Sequence, residues 1–483
     1  MSKVKSVKII ENIKSITLVV LFLSTILLLY FFWSDTAPRS TVGETSQVRV
    51  FDAADFLRPD RIEVSFGNEE YTIVSGENFE AIMNSFRMFS VGRSLSVEEI
   101  SRELYEQEVL RRASIRAVFD YYIPFSALSE LHNIDRINNA SLIGAVSELA
   151  YVAGQNDNMF VYDRISGRHF RITGRTNEGF DVLSRIIAEA QDNYALHLTA
   201  RFWVGDGVNS NVLFPFSFES NLHDVEFFPE DFSRDENKTA NIIRSFFNEN
   251  MDFVRRIEEN GIATYMYGFG RIIVIAHTNG VLEFRSQDDD RQIDTQLTFL
   301  EAFEQANRFI GAHGGFYIED GTSLTPYMRE VVVNPAGQNG YRFIFGTKIA
   351  NDRMFYENGI PMVVDVTNGR VSYFRRQLVR VNEETLRETE NVYREAFVPV
   401  IGMIANNIDY ITSVLVKGRV DYEMQITIEA IIESISNLDA GYVKIDEYES
   451  ILRAVWIITI DGMEFYFGLE DGEIIGHSQS LAF

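Results

Sequence analysis

The stretch "VVDVTNGRVSYF" (residues 363–374) consists of two runs of strand-favouring side chains on either side of Asn368-Gly369. Asn and Gly tolerate the positive φ angles that a two-residue type I′ turn requires. Such a turn fixes the register of its two strands, so that successive side chains alternate between the two faces. The stretch therefore predicts a β-hairpin.

Two further stretches repeat this pattern: "IVIAHTNGVLEF" at 273–284 and, more loosely, "YFGLEDGEIIGH" at 466–477. Asn279-Gly280 and Asp471-Gly472 stand at their predicted turns. A helical pattern followed by short antiparallel strands also occurs twice between residues 290 and 483. The sequence therefore predicts an α+β fold of antiparallel sheets with packed helices, in which the last two lobes are repeat-like.

The composition sets the broad class of the protein. The chain has 483 residues, of which 46% are hydrophobic, with no cysteine and a formal net charge of −26. This length predicts two to four domains with substantial cores. Such acidity argues against a nucleic-acid partner, whose phosphates require clustered Lys and Arg. The absence of cysteine excludes disulfides and thiolate metal sites.

An apolar segment near the N-terminus predicts a signal anchor. "ITLVVLFLSTILLLYFFW" (Ile16–Trp33) carries no charge, and a membrane-spanning helix needs about 17–25 apolar residues. Four lysines and one glutamate precede the segment, which predicts a cytoplasmic N-terminus and an extracytoplasmic C-terminal part. The alternative, a cleaved signal peptide, has a shorter apolar region and a small-residue cleavage site, and no such site follows here.

This topology gives a predicted domain organisation of one anchor and three α+β modules. The predicted parts are a cytoplasmic tail (1–15), a transmembrane helix (16–33), a stalk (34–49), an N-terminal α+β module (50–200), a middle module with the Asn-Gly hairpins (201–381) and a C-terminal module (382–483).

Within the modules, alternation and capping patterns predict individual elements. Hairpins are predicted at 61–74 and 159–174. A helix is predicted to begin at Ser96, from the cap pattern Ser96-x-x-Glu99, and another to cover 236–261. A third predicted helix, 294–315, has apolar residues at helical spacing and ends at two glycines.

Catalytic and metal-binding motifs are not recognisable in the chain. The seven histidines lack zinc-hydrolase spacing, and no G-x-S-x-G motif occurs. The acidic run "RSQDDDRQID" (285–294) is a conceivable calcium loop but lacks the Gly and the distal Glu of an EF-hand. A glycosidase pair among the many carboxylates stays open, although no two stand out. The prediction is a protein that is not an enzyme and holds no cofactor or metal.

One face of the apolar helix is the predicted partner-binding site. Residues with 4-3-4-3 spacing share this face: Thr17, Leu21, Ser24, Leu28 and Phe31. Small hydroxylated residues allow helices to approach and hydrogen-bond within a membrane. The alternative is that Ser24 and the adjacent Thr25 bond back to carbonyls of their own helix.

The layout of the chain resembles the YycH family, accessory proteins of the WalK/WalR cell-wall two-component system. The resemblance lies in "KSITLVVLFLSTILLLYFFW" before a large cysteine-free ectodomain, and in "FLRPDRIEVSFGNEEYTIV" at 56–74. The ending "YESILRAVWIITIDGMEFYFGLEDGEIIGH" is similar to the last module of YycH and YycI. There a Trp strand (Trp456) precedes an aromatic strand (Tyr466) and a G-E-I turn (Gly472-Glu473-Ile474).

The resemblance implies a regulator rather than an enzyme. Members of that family bind a YycI partner and the sensor histidine kinase WalK, partly through membrane helices, and adjust kinase output. Only the helix face from Thr17 to Phe31 carries over residue by residue. The chain departs from the family in its acidity and in residues 200–290, which match none of its patterns.

Three other functions stay open from the sequence. A PepSY-like module that inhibits a secreted protease would also combine helices with antiparallel strands. An anchored wall hydrolase would require a cleft with paired carboxylates of raised pKa. The same architecture would also serve as an adaptor for a different membrane complex.

Overall fold

The computed structural model describes most of the chain beyond residue 50. The described residues are 17–18, 21–25, 51–67, 69–74, 78–90, 95–134, 137–155, 157–174, 181–205, 212–216, 222–230, 232, 236–248, 251–287, 297–316, 324–349, 352–356, 362–382, 384, 386, 399–416, 427–445 and 450–479.

The predicted membrane segment lies mostly outside the described residues. Residues 17–18 and 21–25 of the segment are helical. Among the helices that the structure describes, none has the length and the apolar character to cross a membrane. The predicted tail (1–15), the rest of 16–33 and the stalk (34–49) are outside the described part of the chain.

Ten strands between residues 61 and 215 form a first sheet, in the order β10-β9-β2-β1-β4-β6-β7-β8-β3-β5. Its strands are β1 (Arg61–Gly67), β2 (Glu70–Val74), β3 (Leu95–Ile100), β4 (Ala113–Val118), β5 (Ile137–Asn138), β6 (Glu148–Val152), β7 (Asn158–Asp163), β8 (Arg168–Thr173), β9 (His197–Thr199) and β10 (Leu213–Pro215). Neighbouring strands are antiparallel except β3 and β5, which are parallel. The predicted hairpins at 61–74 and 159–174 are confirmed.

Helices pack on both faces of this sheet. They are α1 (Ala53–Phe56), α2 (Phe79–Ser90), α3 (Arg102–Tyr105), α4 (Phe125–Leu131), α5 (Asp181–Asn193) and α6 (Ala200–Val204), with a π-helical turn at Glu106–Leu110 and a 3₁₀ turn at Ala140–Leu142. Phe79 and Phe86 of α2 and Leu183 of α5 are buried together with Ile62 and Val64 of β1. Their burial follows the helical and strand periods of the sequence.

A second sheet contains fifteen strands, with the main order β12-β13-β14-β15-β20-β19-β17-β18-β22-β23-β11-β21; β16 also pairs with β17, and β24 lies between β23 and β25. Its strands are β11 (Val225–Pro229), β12 (Arg255–Glu259), β13 (Ile262–Tyr267), β14 (Ile272–Ala276), β15 (Val281–Ser286), β16 (Leu324–Val333), β17 (Gly340–Ile349), β18 (Asp352–Tyr356), β19 (Met362–Thr367), β20 (Arg370–Gln377), β21 (Val379–Val381), β22 (Ile435–Lys444), β23 (Ile451–Ile460), β24 (Met463–Gly468) and β25 (Ile474–Gln479).

The helices of this half are α7 (Glu236–Ser245), α8 (Phe299–Ala312), α9 (Val400–Asn406), α10 (Ile408–Val416) and α11 (Ile428–Glu433), with 3₁₀ turns at Gly268–Gly270 and Pro335–Gly337. Thr298 and Glu301 form a capping box at the start of α8, and Phe303, Ala306 and Ile310 are wholly buried. The predicted helix at 294–315 is therefore confirmed in its described part.

The predicted order of a helix followed by antiparallel strands occurs twice after residue 297. The α+β fold class and this order of elements are therefore confirmed. The strands of both stretches nevertheless belong to one sheet. They are joined by the parallel pair β18 and β22, in which Arg353 lies opposite Gly441. The two lobes thus share a continuous hydrogen-bonded sheet.

Two predicted helices are wrong in position. Residues 95–100 form strand β3, because Leu95 and Val97 are buried while Ser96 and Glu98 are exposed, a period of two. The helix begins one turn later, where the Ser101 side chain accepts a hydrogen bond from the Leu104 backbone N–H at 3.2 Å. The helix is therefore capped by Ser101 and not by Ser96.

The long helix predicted over 236–261 ends at Ser245. Residues 255–259 instead form β12, which pairs antiparallel with β13 around Asn260-Gly261. The φ angles of these two residues are 51° and 77°, as a type I′ turn requires. Here the turn residues outweighed the helical pattern that precedes them.

The predicted type I′ geometry is confirmed at Asn368-Gly369, with φ angles of 51° and 77°. At Asn279-Gly280 it is wrong, because only Gly280 has a positive φ, 81°. That hairpin closes with a hydrogen bond from the His277 N–H to the Val281 carbonyl at 2.8 Å. At Asp471-Gly472, likewise, only the glycine has a positive φ.

We expect Gly280→Ala to destabilise the protein more than Gly167→Ala. Both glycines have positive φ, so each alanine costs about 1–2 kcal/mol of backbone strain. A Cβ at Gly280 would also overlap the backbone of Glu230, whereas a Cβ at Gly167 meets no atom within 4 Å. Overlap adds about 1–3 kcal/mol. Urea unfolding of both variants measures the difference; equal losses would contradict the close approach.

Candidate functional site: a charge seam between the two sheets

An aromatic cluster joins the N-terminal sheet to the second sheet. The Phe56 ring of α1 lies 5.1 Å from Phe316 and 5.5 Å from Phe345, centroid to centroid. The Phe51 carbonyl accepts a hydrogen bond from the Asn307 side-chain amide of α8 at 2.6 Å. The segment that precedes β1 is thereby fixed to the core of the other half.

Charged groups meet beside this aromatic contact, and we call Asp60, Arg61, Asp120, Arg353 and Asp439 the charge seam. Arg353 of β18 pairs with Asp60, with Asp120 at 3.5 Å and with Asp439 of β22 at 3.4 Å. Asp60 and Asp120 flank β1 and β4 of the first sheet. One guanidinium therefore binds carboxylates from both sheets, with only 12% of its side chain exposed.

The charge seam continues into the first sheet as a ladder of ion pairs. Arg61 pairs with Asp120 at 2.9 Å and with Glu63 at 2.7 Å. Glu63 lies directly opposite Arg116 in the β1–β4 register and pairs with it. Arg116 reaches Glu148 at 3.2 Å. Opposite charges that face each other on antiparallel strands stabilise that register.

On its other side the seam borders a cation–aromatic stack. The Tyr327 ring of β16 has the Lys348 ammonium and the Arg353 guanidinium each 5.3 Å from its centroid. The ring lies over Gly346, where an added Cβ would overlap it. This close approach holds Tyr327 against the cations, an arrangement in which the ring face attracts positive charge.

Burial and the neighbouring guanidinium groups shift the pKa values of the seam carboxylates in opposite directions. Burial raises the pKa of Asp60 to about 6 although Arg353 lies beside it, and burial also raises the pKa of Asp439. For Asp120 the effect of burial is outweighed by Arg61 and Arg353, which hold its pKa below the usual range. With a pKa of about 6, Asp60 binds a proton in mildly acidic solution.

We expect Arg353→Met to destabilise the protein by about 3–5 kcal/mol, because removal of one partner leaves buried carboxylates uncompensated. The matched control is Arg256→Met, whose ion pair with Glu258 is more than half exposed on both sides and contributes about 0–1 kcal/mol. Chemical unfolding measures both. A loss at Arg353 no larger than that at Arg256 would show that the charge seam does not hold the sheets together.

We expect Asp60→Asn to change how stability depends on pH. The pKa of Asp60 is raised from 3.8 to about 6 on folding, so the folded state binds a proton that the unfolded chain has released. Relative to the variant, the wild type should lose about 2 kcal/mol as pH rises from about 4 to about 6. Unfolding at several pH values tests this, with Asp55→Asn as the exposed control; a constant difference would contradict it.

Exposed aromatic residues form a second feature of the surface. Phe202 and Phe216 are 58% and 56% exposed, and the half-buried Trp203 contacts both rings. Phe269 is fully exposed at a turn between β13 and β14, with a φ of 58°. Exposed aromatic side chains are typical of protein interfaces.

The predicted partner-binding face is only partly described. Thr17, Leu21 and Ser24 lie in the described helical residues, whereas Leu28 and Phe31 lie outside the described residues. The Ser24 and Thr25 hydroxyls each donate a hydrogen bond to the Leu21 carbonyl at 2.8 Å. These are the bonds within the same helix that the sequence analysis gave as the alternative to contact with a partner. The partner-binding role of this face stays a prediction.

The conceivable calcium loop at 285–294 is described only to Gln287. Elsewhere in the described part of the chain, no group of three His, Asp or Glu side chains is placed to hold a metal ion. Sequence reasoning missed the charge seam, because Asp60 and Arg353 are 293 positions apart. The one available signal was the pattern of charges, Arg61, Glu63 and Arg116, inside otherwise apolar strands.

Comparison with known proteins relates the fold, but not the sequence, to a solved structure. No protein-family model and no curated protein matches the chain. The structure is similar to the crystal structure of YycH from Bacillus subtilis, with a TM-score of 0.54 and 10% sequence identity. The match covers 88% of this chain and 97% of that chain. The chain thus has a YycH-like α+β fold over most of its length.

Proposed function

We propose that this protein is a membrane-anchored extracytoplasmic regulator of two-component signalling. It binds a WalK-like sensor histidine kinase together with a YycI-like membrane partner and modulates the kinase that controls the cell wall. The observation that carries the proposal is the YycH-like fold, which extends over 88% of this chain and 97% of its structural neighbour.

The N-terminal sequence supports the membrane topology in this proposal. The segment Ile16–Trp33 has the length and apolar character of a span, and lysines precede it. The predicted cytoplasmic tail, residues 1–15, is too short to fold into a catalytic domain. A signal from the ectodomain to the kinase therefore passes through helix contacts within the membrane or through partner ectodomains.

The buried charges suit a conformational role. Asp60, Asp120 and Asp439 surround Arg353 at the contact between the sheets. The carboxylates of Asp60 and Asp120, beside the first sheet, are thus bound by a guanidinium of the second sheet. A change at one sheet would be transmitted to the other through the charge seam, because paired charges resist separation in a buried site.

The test is a pull-down of the full-length protein from native membranes. Two variants of segment 16–33 are compared with the wild type: one has an unrelated apolar span, the other keeps the five predicted face residues in that same span. We expect a sensor kinase or a YycI-like protein to co-purify with the wild type and the face-retaining variant, and to be reduced with the unrelated span.

Each outcome separates one part of the proposal. Retention of the kinase by both variants would place the contact in the ectodomain and reject the helix face. Absence of any kinase or YycI-like protein from all three samples would reject the regulator itself. Phosphorylation of the kinase in membranes with and without this protein then shows whether its effect is activating or repressing.

A further inference from the structure

Strand β12 (Arg255–Glu259) forms one end of the second sheet, and all five of its residues are exposed. Among the described strands it pairs only with β13. Its outer edge therefore presents backbone N–H and C=O groups that no described strand satisfies. Such an edge is a template for the addition of another strand.

The other sheet ends in the described part of the chain are short or irregular. Strands β5, β10 and β21 have two or three residues each. Strand β16 contains Pro326 and a register shift, and β25 pairs with β24 across a register shift. By contrast, β12 has no proline and pairs regularly with β13. Because short strands, prolines and bulges hinder the addition of a further strand, β12 is the described edge best suited to pairing.

The hairpin turn determines which backbone groups of β12 face outward. Glu259 and Ile262 flank the two-residue turn at Asn260-Gly261 and are the hydrogen-bonded pair that closes the hairpin. Hydrogen-bonded and non-hydrogen-bonded pairs alternate along an antiparallel ladder. The N–H and C=O groups of Arg256 and Glu258 therefore point away from β13, where an added strand would bind them.

The charges of β12 are arranged symmetrically about Ile257. Two arginines, Arg255 and Arg256, precede it, and two glutamates, Glu258 and Glu259, follow it. A second copy of β12, placed antiparallel with Ile257 opposite itself, brings Arg256 opposite Glu258. It also brings Arg255 opposite Glu259, and each of these pairs occurs twice by symmetry. Opposite charges that face each other across an antiparallel pair stabilise it.

Charged side chains on a sheet edge usually prevent pairing, and here they disfavour the neighbouring registers. The outward-facing residues of the two copies must lie opposite each other to form backbone hydrogen bonds. The adjacent two-fold registers therefore place Arg256 opposite Arg256, or Glu258 opposite Glu258. Like charges directly opposite each other destabilise a strand pair. Of these three registers, only the one centred on Ile257 satisfies both the backbone and the charges.

The side chains on both faces of β12 fit the same register. Arg256 and Glu258 lie on one face, where their ion pair at 2.7 Å would form half of a ring of four alternating charges. Ile257 lies on the other face and is 39% exposed. It would meet its copy in a non-hydrogen-bonded pair, in which side chains approach most closely. The contact thus covers an exposed apolar side chain between ion pairs.

We propose that the protein associates with a second copy of itself through β12, as an antiparallel two-fold pair of edge strands centred on Ile257. The pairing joins the second sheets of the two copies into one continuous sheet. A five-residue strand is small beside the about 1,200–2,000 Å² that stable interfaces bury, so the association is weak and reversible. The contact is separate from the predicted membrane face and the charge seam, and does not depend on the regulatory function proposed above.

The first test uses the absence of cysteine from the chain. In the full-length protein, Ile257→Cys should place two thiols opposite each other across the two-fold axis, close enough for a disulfide, whose Cβ atoms lie about 3.5–4.5 Å apart. Mild oxidation should then give a covalent dimer on a non-reducing gel.

The matched control is Ile262→Cys on the neighbouring strand. Ile262 is 37% exposed, nearly as much as Ile257. In the proposed dimer, however, strand spacing and rise put the two copies of residue 262 about 20 Å apart. Disulfide formation at 257 that is no faster than at 262 would show random collision and overturn the proposal.

The second test reverses charges in the cysteine-free protein. Arg256→Glu and Glu258→Arg should each weaken self-association about ten-fold or more, because each variant places like charges opposite each other. The double variant, which exchanges the two charges, should restore association. An equimolar mixture of the two single variants should also associate, since opposite charges then face each other again.

Sedimentation equilibrium at protein concentrations up to about 1 mM, the weak end of specific affinity, measures all these forms. The rescue by the double variant and by the mixture separates a lost contact from a folding defect. Absence of a wild-type dimer over this range, unchanged association in the single variants, or loss without rescue would each overturn the proposal.

Discussion

The ion pairs of Arg353 are the interaction on which the arrangement of the two sheets depends. Its guanidinium binds Asp60 and Asp120 of the N-terminal half and Asp439 of the C-terminal half. Such a site is stable only when all its members are present, because a single unpaired charge in a buried position is costly. The aromatic contact of Phe56 excludes water beside it. The ion pairs and the apolar packing together fix one orientation of the two sheets relative to each other.

This arrangement bears on the proposed regulatory function. Because close-packed interiors deform little, two large sheets joined through a polar contact either move together as one body or shift relative to each other at the charge seam. The seam also contains a carboxyl, Asp60, whose pKa burial raises to about 6. In the proposed extracytoplasmic location, the acidity of the surroundings would act directly on this contact.

Sequence patterns predicted much of the local structure, and the errors have identifiable causes. The hairpin at Asn368-Gly369 and helix α8 follow from turn chemistry and from apolar spacing, which act over a few residues. The helix start predicted at Ser96 is wrong because a capping pattern occurs by chance within an alternating strand. The helix predicted over 236–261 is too long because it includes Asn260-Gly261, a turn signal of the same kind as Asn368-Gly369.

The sequence by itself determined the α+β class, the turns that set strand register and the resemblance to a YycH-like layout, because these depend on neighbouring residues and on composition. Only the tertiary structure decided which strands from distant parts of the chain share a sheet, and which buried charges meet. Arg353 and Asp60 contact each other because β18 and the start of β1 are brought together by folding. No local pattern of the sequence encodes such a contact.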